Sequence, residues 1–256
     1  MNIPSIIGKR VIVFDLDGTV TESKSPMHGE MAELFARILS RMKIAIISGG
    51  AYGQFERQLP ALTCTDEQLR NLFFFPTTGT RCYRYTDRWE QVYVDEMTVE
   101  ERQKIRLAFD RAFADIGYHH PETLYGEVVE DRGTQMSFSA LGQQAPLELK
   151  NQWRDTQDAR PAIVAALQKH LPEFEVRIAG VTTIDVTRKG IDKAYGMRKM
   201  EELFACSVAD MVFVGDSLFE GGNDHAVLKT GIEAVAVANP EETKIILREW
   251  LKEMES

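Results

Sequence analysis

Asp15-Leu16-Asp17-Gly18-Thr19 follows directly on an apolar run, Val11-Ile-Val-Phe14. If the run is a strand, its side chains alternate, so Asp15 and Asp17 project to the same side at its carboxyl end. That edge is where open α/β sheets bind ligands. One carboxylate there could attack phosphorus while the other supplies a proton to the leaving group. Taken alone, an Asp-x-Asp before glycine is more often a helix cap and a turn. A second cluster weighs against that. Val212-Phe-Val214-Gly215-Asp216 repeats the order of strand then acid, and Gly221-Gly222-Asn223-Asp224 follows in the next loop. Asp216, Asp224 and Asp15 make a hard oxygen set suited to Mg²⁺. Ser48-Gly49-Gly50, after the run Ile44–Ile47, offers a hydroxyl and free backbone N–H groups to a phosphate.

The elements that must position these groups follow from the apolar pattern. Continuous runs at Val11–Phe14, Ile44–Ile47 and Leu72–Phe75 read as strands buried on both faces. Helical spacing from Met27 to Met42 and a helix from about Gly53 to Leu59 separate them. This βαβαβ order predicts an α/β, Rossmann-like, doubly wound parallel sheet. The pattern then changes. Thr98-Val-Glu-Glu101 reads as a capping box opening a helix to about Ile116. Gly126–Asp131 with Thr134–Leu141, and Phe174–Ala179 with Thr182–Val186, read as strand pairs, with a helix over about Ala159–His170 between them. The first grammar returns with a helix over Asp192–Phe204, strands at Met211–Val214 and Val235–Val237, and a terminal helix over about Pro240–Lys252. A core domain of residues 1–83 and 186–256, interrupted by an inserted α+β cap over 84–185, is therefore expected.

Composition bounds the partners. The chain of 256 residues carries 30 Lys+Arg against 39 Asp+Glu, a net charge of −9. A negative field of that size argues against nucleic acid and anionic membrane surfaces. No stretch of 18 uncharged apolar residues is present, and Met1 to Arg10 has no apolar signal core. The three cysteines are an odd count without zinc-type spacing, which reads as reduced thiols in a cytoplasmic protein. His119-His120 reads as a surface turn, His225 as helix-end packing, and the aromatic and basic stretch around Arg81–Trp89 as an edge-strand surface.

Together these motifs resemble the haloacid dehalogenase superfamily of aspartyl-phosphate enzymes, in the branch with a large α+β cap after the second motif. The resemblance implies Asp15 as nucleophile, Asp17 as general acid/base, Ser48 as phosphate-binding hydroxyl and Lys193 as phosphate-binding lysine. It implies Mg²⁺ held by Asp15, the backbone carbonyl of Asp17, Asp216 and Asp224. Lys189 competes with Lys193, and motif position favours Lys193. Within the superfamily the chain is similar to eukaryotic-type phosphomannomutases. Phe213-Val-Gly-Asp216 with Gly221-Gly-Asn-Asp-His225, Phe75-Pro-Thr-Thr-Gly79, Gly190-Ile-Asp-Lys193 and Pro240-Glu-Glu-Thr243 carry that likeness. In the cap, Glu130-Asp-Arg132 followed by Met136-Ser-Phe-Ser139 and Leu141-Gly142 matches the family's substrate-binding strand. Arg132 carries over as a distal phosphate or sugar ligand, with Ser139 beside it.

The departures fall at the cap and the second motif. Gln143 stands where the family has a second arginine, Ser137 where it has Asn, and Ala140 where it has Pro. Ser48-Gly49-Gly50 is nearer the general phosphatase form. A mutase must hold a bisphosphate by both ends, and an uncharged glutamine cannot replace a bidentate arginine clamp. The expectation is therefore a Mg²⁺-dependent phosphatase acting on a small phosphorylated metabolite, a sugar phosphate. The alternative is a phosphomannomutase-like hexose-phosphate mutase using the same chemistry. A non-catalytic binding protein on this fold is the remote alternative, because Asp15, Asp17, Asp216 and Asp224 are all present. A homodimer formed through the cap is a family-level implication.

Overall fold

The structure is a computed structural model describing residues 3–59 and 62–255. Met1 and Asn2 of the amino-terminal segment read above lie outside them. Strand β1 (Val11–Asp15) is buried at every position, as a central strand covered on both faces must be. Helix α1 (Gly29–Leu39), strand β2 (Lys43–Ile47), helix α2 (Tyr52–Gln58), the one-turn α3 (Asp66–Leu69) and strand β3 (Leu72–Phe75) follow. A tight turn, α4 (Pro76–Gly79), leads into a hairpin of β4 (Arg81–Tyr85) and β5 (Trp89–Val94).

The chain then builds a second unit, Asp95–Ile191. Helix α5 (Val99–Ile116) opens with the expected capping box, Thr98 and Glu101 satisfying each other's backbone N–H groups. Strands β6 (Val129–Asp131) and β7 (Met136–Ser139), helices α6 (Leu147–Gln157) and α7 (Arg160–His170), and strands β8 (Phe174–Ala179) and β9 (Thr183–Arg188) complete it. Its antiparallel sheet has the order β6-β7-β9-β8. One face carries Phe138, Ile184 and Val186 against Ile105 and Phe109 of α5 and Ile163 and Leu167 of α7. Glu130, Ser137, Asp185 and Arg177 are directly opposed in register and so share the other face. Helix α6 was not expected; Lys150 and Trp153 are its only buried residues, too few to write an apolar stripe.

Helix α8 (Lys193–Phe204), strands β10 (Met211–Gly215) and β11 (Glu233–Ala236), and helix α9 (Pro240–Glu255) return to the first unit. Its sheet has the order β11-β10-β1-β2-β3-β4-β5, parallel through β3 and antiparallel beyond it. Ile12, Phe14 and Ile46 pack with Phe35 and Ile38 of α1 and Leu247 and Trp250 of α9. On the opposite face Val13, Ile47 and Phe213 pack with Met197, Met200 and Phe204 of α8. Helices thus cover both faces, which is the doubly wound α/β arrangement.

The unit boundaries differ from those expected. The first unit runs to Val94 rather than residue 83, because the β4–β5 hairpin continues the core sheet through pairs such as Phe73 with Arg84. The second ends at Ile191 rather than 185, because β9 stays paired with β8 as far as Arg188. Of the Arg81–Trp89 stretch, β4 lies inside the sheet between β3 and β5, and only Trp89 belongs to the edge strand β5.

Candidate active site

The sheet turns its direction of winding between β1 and β10, which pair in parallel up to Phe14 with Val214. Carboxyl ends at such a point are left open by the diverging connections. Asp15 closes β1 there and Asp216 directly follows β10. Across from them, the Asp192 side chain accepts from the Tyr195 N–H at 3.0 Å and so starts α8. That cap makes Lys193 the first residue of the helix, with 3% of its surface exposed. Its Nζ donates to both Asp15 Oδ1 and Asp224 Oδ1. The other Asp224 oxygen accepts from the Ser217 N–H at 3.1 Å. A side chain on Gly215 would collide with that same oxygen, so glycine is required where β10 ends.

Asp15, Asp216 and Asp224 bring carboxylate oxygens within 4.8 Å of one another. Burial raises the Asp15 carboxyl to about 7; Lys193 pulls against this, and Asp224 and Asp216 push with it. Asp216 is raised too, chiefly by burial, with Asp224 adding to it. Burial works to lower Lys193, but Asp15 and Asp224 more than offset it and its ammonium is held charged. One cation among three acids leaves a surplus of negative charge on hard oxygens. That is the donor chemistry a divalent ion of the Mg²⁺ type satisfies.

Asp17 does something else. It is absent from the three-acid cluster, and its carboxylate faces α2. Oδ2 accepts from Gln54 Nε2 at 2.5 Å, and Oδ1 from Gln58 Nε2 at 3.0 Å and from the Lys24 N–H at 2.7 Å. The Asp17 carboxylate therefore stands apart from the three acids, and the metal role expected of this residue falls to its backbone carbonyl alone. Ser48 is buried, and its Oγ accepts from the Gly50 N–H at 3.1 Å. The expected free N–H of Gly50 is thus engaged within its own turn, while Ser48 and Gly49 remain at the end of β2. Two further backbone bonds brace this loop: Thr77 N–H to Gly50 O at 2.9 Å and Thr78 N–H to Ser48 O at 2.8 Å. Thr77 and Thr78 hold left-handed φ values of 47° and 60° to make them, a strained choice for β-branched residues.

In the second unit, Arg132 Nε donates to Glu130 at 2.6 Å, and its Nη2 lies 3.5 Å from Gln143 Oε1. Gln143 in turn donates to the Ser137 carbonyl at 3.0 Å. The Ser137 hydroxyl donates to Asp185 at 2.5 Å, and burial raises that carboxyl against the pull of Arg132. Ser139 is fully buried, and its hydroxyl is bonded to the Gly142 carbonyl at 3.0 Å and to the Thr182 hydroxyl at 3.2 Å. Lys189 is exposed just after β9, and the buried lysine among the acids is Lys193. His225 Nδ1 lies 3.2 Å from the Leu218 carbonyl. His120 packs on Phe113 and Tyr118, and neither histidine joins a ligand cluster among the described residues.

Sequence reasoning missed Gln54 and Gln58. Their only signal is a spacing of four in a short helix after the second strand, which places both on one face.

Residues 31–253 match the family model described as eukaryotic phosphomannomutase. The phosphomannomutase of Encephalitozoon cuniculi is 24% identical over 244 residues, covering 92% of this chain and 91% of that protein. The phosphomannomutase of Saccharomyces cerevisiae is 23% identical over 246 residues, covering 93% of each. Among solved structures, an IMP-bound mutant of the IMP-nucleotidase of Plasmodium falciparum superposes with a TM-score of 0.71 at 16% identity, over 97% of this chain and 68% of that one. A trehalose-6-phosphate phosphatase related protein gives 0.56 at 14% identity, over 96% and 97%.

Proposed function

Because the chain belongs to the eukaryotic phosphomannomutase family, we propose that it transfers the phosphoryl group of a hexose phosphate through an aspartyl-phosphate at Asp15, in the manner of a mutase. The observation that carries this reading is Lys193 bridging Asp15 and Asp224 at the carboxyl edge of β1 and β10. An Asp15 oxygen attacks phosphorus, the bond from phosphorus to the leaving oxygen breaks, and Asp17 gives that oxygen its proton. Asp17 then takes a proton from the attacking hydroxyl that discharges Asp15. Lys193 holds Asp15 in line and balances charge on the phosphoryl oxygens. Ser48 offers its hydroxyl to the same oxygens. Asp15, Asp216, Asp224 and the carbonyl of Asp17 would hold Mg²⁺, which supplies Lewis-acid stabilisation of the transferring group.

Gln143 and the Ser48-Gly49-Gly50 motif favour hydrolysis; the relatives' names support isomerisation over it. Hydrolysis keeps one specific observation in its favour. The Arg132 guanidinium is spent on Glu130 and Gln143, with Asp185 nearby, so this cluster brings little net positive charge to a second phosphate. Incubation with mannose 1-phosphate and a hexose bisphosphate primer separates the two. Mannose 6-phosphate in excess of released phosphate is expected; phosphate release alone would sink the mutase reading. Gln143→Arg is expected to raise the ratio of isomerisation to hydrolysis, on the order of 10-fold for one regained charged contact.

A further inference from the structure

Asp17 has three hydrogen-bond donors and no others among the described residues, and two of them are glutamine amides from α2. A carboxylate offers about four lone-pair directions. Both directions of Oδ1 are taken, by Lys24 N–H and by Gln58, while Oδ2 has Gln54 alone. We propose that Gln54 and Gln58 are positioning residues for Asp17, and that they leave Oδ2 as the oxygen that exchanges the proton. This rests on the reading of Asp17 as the general acid and base.

Packing does not account for the glutamines. Gln58 is 2% exposed, at a helix position where an apolar residue would bury more favourably. Its Nε2 also donates to Thr21 Oγ1 at 2.7 Å, and its Oε1 has no partner among the described residues. An amide kept in the interior with its carbonyl unmatched costs stability, and what it obtains is a fixed Asp17. Gln54 is half-buried, and its Oε1 lies so close to Gly50 that a side chain there would collide with it. The helix therefore joins the Asp17 carboxylate to the turn that carries Ser48. Thr21, held by Gln58, also accepts from Gly18 N–H through its carbonyl at 2.7 Å, so the same amide braces the loop on which Asp17 stands.

Two substrates of different leaving-group basicity test this. Expulsion of an alcohol from mannose 6-phosphate needs the acid; expulsion of 4-nitrophenolate from 4-nitrophenyl phosphate hardly does. Single-turnover release is measured for wild type, Gln54→Met, Gln58→Met and Asp17→Asn, each checked for cooperative unfolding. Gln54→Met keeps the test alive should Gln58→Met fail to fold. Each glutamine variant is expected to lose about 10- to 100-fold on the sugar phosphate, the cost of a misplaced group, and much less on the aryl ester. In the Asp17→Asn background Gln54→Met should add no further selective loss, since it acts through Asp17. Equal losses on both esters, or none on the sugar phosphate, overturn the positioning role. If Asp17→Asn itself shows no dependence on the leaving group, it is the acid assignment that falls instead.

Discussion

A single ammonium group, Lys193 Nζ, touches Asp15 and Asp224, and Asp216 belongs to the same cluster. The charge count at this point sets what Asp15 contributes to the pH behaviour of the metal-free protein. Asp15 is held at about 7 against an ordinary value of 3.8, so between those values it keeps a proton in the folded protein that it releases in the unfolded chain. Its contribution to stability then falls as pH rises through that window, the opposite of the usual carboxylate in an ion pair. Asp15→Asn removes the penalty. With divalent ions chelated, the variant is expected to have the higher urea midpoint at about pH 8, the gap closing as pH falls below about 4. A wild type that is the more stable at pH 8 would mean that Lys193 outweighs burial. At this scale the acids were legible because each follows an apolar run or a glycine pair. Gln54 and Gln58 were not, because two amides four apart look like any solvated helix face.

Elements place these residues, and one element does so under strain. The turn after β3 carries Thr77 and Thr78 with left-handed backbone, and its N–H groups bond the carbonyls of Gly50 and Ser48. Gly79 in the same turn lies against α8, where a side chain would come within 2.7 Å of the Gly196 Cα. The turn is pinned between the Ser48 loop and the helix that carries Lys193, which explains why the strain persists. Thr77 has a compensating hydroxyl contact with Thr80 at 2.6 Å; Thr78 is the better probe. Thr78→Gly relieves the left-handed penalty and is expected to stabilise by about 1 kcal/mol, read as a higher urea midpoint at constant slope. A lower midpoint would show that the Thr78 side chain contributes more than its backbone costs. The continuous apolar strands and the Thr98–Glu101 box were readable from residues alone. Helix α6 was not, because it starts at Pro146 without a side-chain cap, and neither was the strain at Thr77–Thr78, since threonine gives no sign of positive φ.

At the scale of the whole molecule, the pattern of residues gave two grammars but misplaced where one stops. The β4–β5 hairpin alternates polar and apolar residues much as the insertion's hairpins do, so only pairing with β3 assigns it to the first unit. Once the boundary stands at Asp95 and Ile191, every residue of the insertion's buried cluster, from Met97 to Val186, comes from within it. The clusters on the two faces of the parallel sheet draw only on the first unit. A unit with its own sheet and its own core of about 100 residues is of the size that folds independently. Residues 95–191 expressed alone are therefore expected to unfold cooperatively in urea, with near-ultraviolet dichroism reporting fixed surroundings for Trp153 and Tyr118. The slope of that transition should be smaller than for the full chain, in proportion to the surface exposed. A fragment with helical far-ultraviolet signal but no cooperative transition would mean that the insertion depends on the parallel-sheet unit for its packing. In that case the continuity of its core is a weaker guide to autonomy than the register of its sheet implies.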